Sequence, residues 1–345
     1  MIWLTWRQFR AQALAALAVL AVIGIAFAVT GPRLAGLYDS SGVPACQAHG
    51  DCGTAVTSFL DQVKGFDTVL YVLGVGVLYL APGVIGLFWG APLVTRELEA
   101  GTFRMTWNQS VTRTRWIVVK LALIGLASMA AVGLVTFMVT WWASPINQAT
   151  GLNSSRNGSS SLNRLTPLLF GASGVAPVGY AAFAFALGVT AGILVRRTLP
   201  AMAITLAVFA AVQVVMPSWV RPRLIAPVHS ATVISPGAID MIGIGNNHLT
   251  VGAAVNLPGA WILSAQDIGA SGHPYAGPAP QACSSLAASQ QACNNAIGRL
   301  HLRQLVSYQP ASRYWAFQWY ETAIFAAAAL ALAGFCVWWI RRRLS

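Results

Sequence analysis

A chain of 345 residues with 56% hydrophobic residues, 9% charged residues and a mean hydropathy of +0.63 is more apolar than a soluble globule of this length needs for its core. The composition excludes a soluble enzyme and indicates a polytopic membrane protein. The 21 Lys and Arg against 9 Asp and Glu give a net charge of +12, but the basic residues border apolar runs, so the excess reads as membrane topology and not as a nucleic-acid footprint.

A span needs about 20 apolar residues, and a charge near its centre costs about 2.5 to 3.5 kcal/mol. Charge-free windows therefore locate spans. Trp3, Trp6, Phe9, Arg7 and Arg10 read as a short interfacial amphipathic helix leading into an uncleaved first span near 11–29. A loop over 31–67 carries Cys46 and Cys52, and the second span lies near 69–93. A charged segment over 96–120 follows, and then the third span near 117–142. The next loop, 143–167, holds the flexible tract 153–161, whose Asn153-Ser154-Ser155 and Asn157-Gly158-Ser159 match glycosylation sequons. Spans near 168–195 and 199–216 are separated only by Arg196 and Arg197, and the sixth lies near 322–340. Between the last two, 217–314 is long enough for a small domain. Strands are expected over 249–255 and 261–268 and a helix over 284–306, an α+β arrangement. The expected fold is thus all-α and polytopic, with six transmembrane helices over 1–216 and 315–345 plus that α+β domain.

Basic residues in short loops stay on the cytoplasmic side. With the N-terminus inside, Arg7, Arg10, Arg96, Arg104, Arg113, Arg115, Lys120, Arg196, Arg197 and Arg341 to Arg343 are cytoplasmic, whereas the short outer loops hold only Arg33, Lys64, Arg156 and Arg164. Both termini are therefore expected in the cytoplasm and 217–314 outside it. Trp89, Trp107, Trp116, Trp338 and Trp339 then fall near inner ends, and Trp141, Trp142, Trp315, Trp319 and Tyr320 near outer ends. Asp67 and Glu321 border outer span ends and read as solvated helix-start carboxylates. In an oxidising compartment, closeness in sequence favours the pairs Cys46–Cys52 and Cys283–Cys293; neither has the spacing of a zinc site. The five histidines show no metal-binding pattern either. The Arg-rich, Ala- and Gly-rich composition points to a bacterial plasma membrane.

No phosphate loop, nucleophile elbow or intramembrane acid or histidine dyad is present in the sequence, so energy for any transport must come from another subunit. Gly86 with Gly90 and Gly188 with Gly192 permit close helix packing. Aromatic and Met residues of the spans (Met129, Phe137, Met138, Tyr180, Phe183, Phe185, Met202) outnumber polar ones such as Thr136, Thr140, Thr190 and Gln213. Most of these serve lipid or helix packing, but the balance suits an amphipathic or hydrophobic cargo.

The segment 96–120 concentrates seven charges in a charge-poor chain. Arg96 to Ala100 should extend the second span, Gly101 break it, and Thr102 cap a short helix running toward Asn108. Arg96-Glu97-x-Glu99-x-Gly101-Thr102, then Ser110-Val111-Thr112-Arg113 and Lys120, resembles the cytoplasmic loop of the type-2 ATP-binding-cassette permease family. Ser110 stands where that family often has Pro, and the last outer loop is longer than in its compact members. The resemblance implies an exporter's membrane subunit that holds no cofactor itself and works with separate nucleotide-binding ATPase subunits, which bind ATP and Mg, and with a second copy or a related permease. It implies that Arg96, Glu97, Glu99, Gly101, Thr102 and Arg104 couple to the ATPase; read as basic residues at a membrane surface, Arg113, Arg115 and Lys120 are instead anchors to anionic headgroups. A non-transporting sensor acting through its 217–314 domain is the alternative, and an adjacent gene for a lone ATPase would separate the two.

Overall fold

The computed structural model describes residues 2–46, 52–101, 112–152, 163–245, 248–253, 255, 257–269, 272–275, 277–284 and 289–343. Among them, six helices are long and apolar enough to cross a membrane. The first, α1 (Ile2–Ser40), is one unbroken helix of 39 residues, about 58 Å long. The segment read as an interfacial amphipathic helix is the first part of this same helix, ahead of the candidate span that begins at Phe9. The first glycine in α1 is Gly24 and the first proline Pro32, so nothing near Arg10 interrupts it. Two short helices, α2 (Val43–Cys46) and α3 (Gly53–Gln62), return the chain to the second span. That span runs through α4 (Phe66–Ile85), a π-helical turn at Gly86–Gly90 and α5 (Pro92–Glu99). The third is α6 (Arg113–Trp142), followed by the short α7 (Ser144–Leu152).

The fourth and fifth spans differ from the expected boundaries. The apolar run at 168–195 splits into α8 (Pro167–Phe170) and α9 (Ala176–Val195), joined by a tight turn in which Gly174 takes a φ of +69°, a conformation that favours glycine. The fifth span, α10 (Thr198–Val215), does not stop at 216. It continues through a π-helical turn at Met216–Val220 into α11 (Arg221–Leu224). Pro217 lies inside that turn, where a wider helical repeat accommodates the missing N–H. Arg221 is thereby carried on the bundle and not in the following domain. The sixth span is α14 (Tyr314–Arg343).

Within 217–314 the chain forms β1 (Val228–Val233), β2 (Ile239–Gly245), β3 (His248–Ala253), β4 (Trp261–Ile268), α12 (Gln281–Ser284), α13 (Gln290–Gly298) and β5 (Arg303–Gln309). The sheet order is β1-β5-β4, all antiparallel, and β2 and β3 form a separate hairpin. The helix expected over 284–306 fails at its end, because 303–309 is the central strand of the sheet. Gln304 and Gln309 are buried on its two opposite faces and donate to the carbonyls of Val251 (3.2 Å) and Ile225 (2.7 Å). Polar residues at buried positions conceal the period-2 apolar signal of a strand. Disulfides join Cys46 to Cys52 and Cys283 to Cys293, the first between α2 and α3 and the second between α12 and α13.

The bundle is organised around α9, most of whose residues are buried. A helix apolar all round belongs in the middle of such an assembly. Gly188 of α9 lies against Gly86 and Gly90 of the π turn, and Gly192 against Ala91 and Thr95 just beyond it, so the small-residue spacings serve packing within one chain: a Cβ on Gly86 would lie 2.7 Å from the Ala184 carbonyl oxygen. The domain is tied to the bundle by Asn163, whose amide donates to Ala260 O at 2.7 Å while its oxygen accepts from the amides of Leu165 and Thr166. Arg313 adds bonds to Ala226 O and the Gln309 side chain, each 2.7 Å.

Candidate functional site

The charged segment leaves the bundle where Phe9, Val94, Trp116, Ile193 and Ile340 share one apolar cluster. One end of each of five of the six spans thus converges at that layer. Helix α5 ends as expected at Gly101, whose φ of +67° stops it. Thr102 and Arg104 lie outside the described residues, as does the expected helix toward Asn108. On the far side Thr112 caps α6, its hydroxyl accepting from the Arg115 amide at 3.4 Å. Arg96, Glu99 and Arg115 are exposed, while Arg113 is the first residue of α6 and its side chain is not described.

Two contacts fasten the base of this segment. Lys120 Nζ meets Glu97 Oε1 at 2.5 Å and sits 4.6 Å from the centre of the Trp116 ring. Lys120 is only 3% exposed, so it is a tie between α5 and α6 and not the headgroup anchor its sequence position implies. Glu99 caps the next span: its oxygens accept from the Thr198 amide (2.8 Å) and hydroxyl (2.7 Å). A carboxylate on the free N–H groups at a helix start is doubly favourable, through the hydrogen bonds and through the helix dipole. These bonds, the hydroxyl's first, hold the Glu99 pKa below its ordinary 4.5.

A depressed carboxylate contributes stability that is present above its unfolded pKa and lost as pH falls through the folded one. The thermal midpoint of the wild type is therefore expected to exceed that of Glu99→Gln at neutral pH and to converge on it as pH drops below 4.5. A gap of the same size at about pH 3 would sink this assignment.

At the opposite end lies a buried polar cluster absent from the sequence expectations. Glu321, read as a solvated carboxylate, is 0% exposed, and Asp67, read the same way, is 3% exposed. Arg221 donates to both oxygens of Glu321, Nε to Oε2 at 2.9 Å and Nη2 to Oε1 at 3.0 Å. Tyr180 of α9 also donates to Oε1, and the Arg221 guanidinium lies 4.1 Å from the Phe170 ring centre. One helical turn before Glu321, buried Gln318 accepts from the amides of Val175 (3.0 Å) and Ala176 (2.8 Å) and donates to Ser173 O at 3.0 Å. Gln318 thereby caps α9 and closes the Gly174 turn. Tyr79 reaches the same corner, donating to Leu168 O at 2.7 Å. The one sequence signal for this cluster is Gln318 and Glu321 spaced three apart on a helix otherwise aromatic and apolar.

Among the described residues no three His, Cys, Asp or Glu side chains converge as metal ligands. The base of the charged segment is thus joined to the second, third and fifth spans at one end of the bundle, and a buried polar corner lies at the other. No curated protein and no solved structure matches the chain. The family described as ABC-2 membrane transporter related matches residues 17–221, more than half of the chain, from within the first span to near the end of the fifth. This multi-pass membrane protein belongs to the ABC-2 membrane transporter related family.

Proposed function

We propose that the chain is the membrane subunit of an ATP-driven exporter in a bacterial plasma membrane. Separate ATPase subunits, which bind ATP and Mg, dock on the segment 96–120 at a cytoplasmic face, and a second copy or related permease completes the assembly. Both termini face the cytoplasm, and the 217–314 domain lies on the other side. The cargo is amphipathic or hydrophobic, such as a drug, antibiotic or lipid-like compound.

The observation that carries this reading is the double fastening of the segment, Glu97 to Lys120 on α6 and Glu99 to Thr198 on α10. A push delivered to the segment by a closing ATPase would reach the second, third and fifth spans together, through short charge-assisted bonds. Arg96, Thr102 and Arg104 are left for the docked surface, and Arg113 and Arg115 for anionic lipid. Co-purification with a candidate ATPase tests it, comparing wild type with Glu97→Ala plus Glu99→Ala. The wild-type chain is expected to retain the ATPase and stimulate its hydrolysis, and the double variant to lose that stimulation while still folding. If no ATPase associates, or if stimulation survives the double substitution, the coupling role is wrong.

A further inference from the structure

Between α1, α4 and α6 runs a groove whose mouth shares Arg96 and Glu97 with the coupling segment and whose apolar length the coupling role does not use. Its mouth, beside the charged segment, is a pocket of about 230 Å³ lined by Phe9, Gln12, Trp89, Arg96 and Glu97. Through Gln12, Phe88 and Trp89 it continues into an apolar lane of about 420 Å³. Ala15, Ala16, Ala81 and Ala131 line the lane, and their lack of side chain beyond Cβ makes the trough. It opens sideways, since Val19, Phe88 and Val84 on its rim are 57%, 51% and 50% exposed. In a bilayer, an acyl chain enters there without crossing the headgroups.

Length and charge say what fits. The lining runs from Gln12 to Ile23 on α1 and from Ile124 to Val135 on α6, about 16 Å in each case. That is half of a hydrocarbon core of about 30 Å, the depth of one leaflet. At the mouth the Glu97 charge is answered by Lys120 at 2.5 Å, so the net charge of the lining is that of the exposed Arg96. Gln12 uses one N–H on Phe88 O at 3.2 Å, in the π turn, and has a second to offer.

We propose that the groove holds one anionic phospholipid of the surrounding membrane, its phosphate at Arg96 and Gln12 and one acyl chain along the alanine-lined lane. The site shares Arg96 with the proposed docking surface, so the chain is tested without an ATPase. The full chain, purified in detergent and stripped of lipid, is titrated with phosphatidylglycerol and phosphatidylcholine by native mass spectrometry. One phosphatidylglycerol is expected to be retained in preference to phosphatidylcholine. Arg96→Gln should weaken phosphatidylglycerol about 10-fold, the loss expected of one charge-assisted contact, and weaken phosphatidylcholine less, because the choline cation offsets its phosphate, so that the preference shrinks. Ala16→Trp, which fills the lane, should weaken both, and Leu14→Trp, at a 64% exposed position of α1 that does not line the groove, neither. A phosphatidylglycerol with a photoactivatable acyl chain should label 15–23 and 77–84 in the unaltered protein, a readout that survives any failure of a variant to fold. Equal retention of the two lipids, indifference to Arg96→Gln, or labelling spread evenly over the apolar helices would overturn the proposal.

Discussion

Glu321→Ala is expected to cost the folded bundle about 3 to 5 kcal/mol, because it strands the Arg221 guanidinium where water cannot reach it. Arg221 is 1% exposed and Glu321 0%, and the two are joined by two hydrogen bonds of 2.9 and 3.0 Å. Neither side chain has room to turn toward solvent. Arg221→Ala should cost a similar amount, since the Glu321 carboxylate would keep only the Tyr180 hydroxyl. Replacing both at once, Arg221→Met with Glu321→Leu, removes both desolvation costs and should recover most of the loss or exceed the wild type by about 1 to 4 kcal/mol. Tyr180→Phe takes away one bond to a charged group and leaves the pair intact, a cost of about 1.5 to 3 kcal/mol. Thermal midpoints of the detergent-purified protein give the order. A midpoint unmoved by Glu321→Ala, or a double variant no better than the worse single one, would show that the pair does not hold this corner.

The six spans were legible because each rests on a one-dimensional rule, a run of about 20 residues without charge. That rule fails where a charge is buried with a partner. Arg221 ended the fifth apolar window, which put it in the 217–314 domain, and Glu321 bounded the sixth, which put it in water. They are 100 positions apart in the chain, and no local pattern announces their pairing. Lys120 shows the same effect at the other end: its position at a span start implied headgroups, but Glu97, 23 residues earlier, takes its charge. Among the coupling residues, Gly101 was readable because a helix stop has a local cause. The cap that Glu99 places on Thr198, 99 residues away, was not. The strand β5 was missed for a related reason, its buried positions including Gln304 and Gln309, whose side-chain amides donate to the carbonyls of other elements. The glycine spacings were visible, but which surface they faced was not.

Those glycines carry the second large expected effect. A Cβ on Gly188 would press into the Gly86 carbonyl oxygen and lie 2.8 Å from the Ala91 amide nitrogen, backbone atoms that no side-chain rotation can move aside. Gly90 and Gly192 are as tight, with a Cβ 2.6 Å from Phe185 O and 2.7 Å from Ala91 O. Gly188→Ala should therefore destabilise the bundle by the cost of overpacking, about 1 to 3 kcal/mol, and Gly188→Leu should prevent a monodisperse protein from forming. Gly76 and Gly334 supply the control, since a Cβ on either meets nothing within 4 Å. There the exchange to Ala should be neutral or should stabilise by up to about 1 kcal/mol through helix propensity alone. One chemical change thus takes opposite signs according to what each glycine faces, and thermal midpoints of the three alanine variants measure both. If Gly188→Ala is tolerated as well as Gly334→Ala, the π turn does not rest on α9 as described. If it is not, the segment ahead of α5 is held against the most buried helix of the bundle, and a displacement of α5 must move α9 with it.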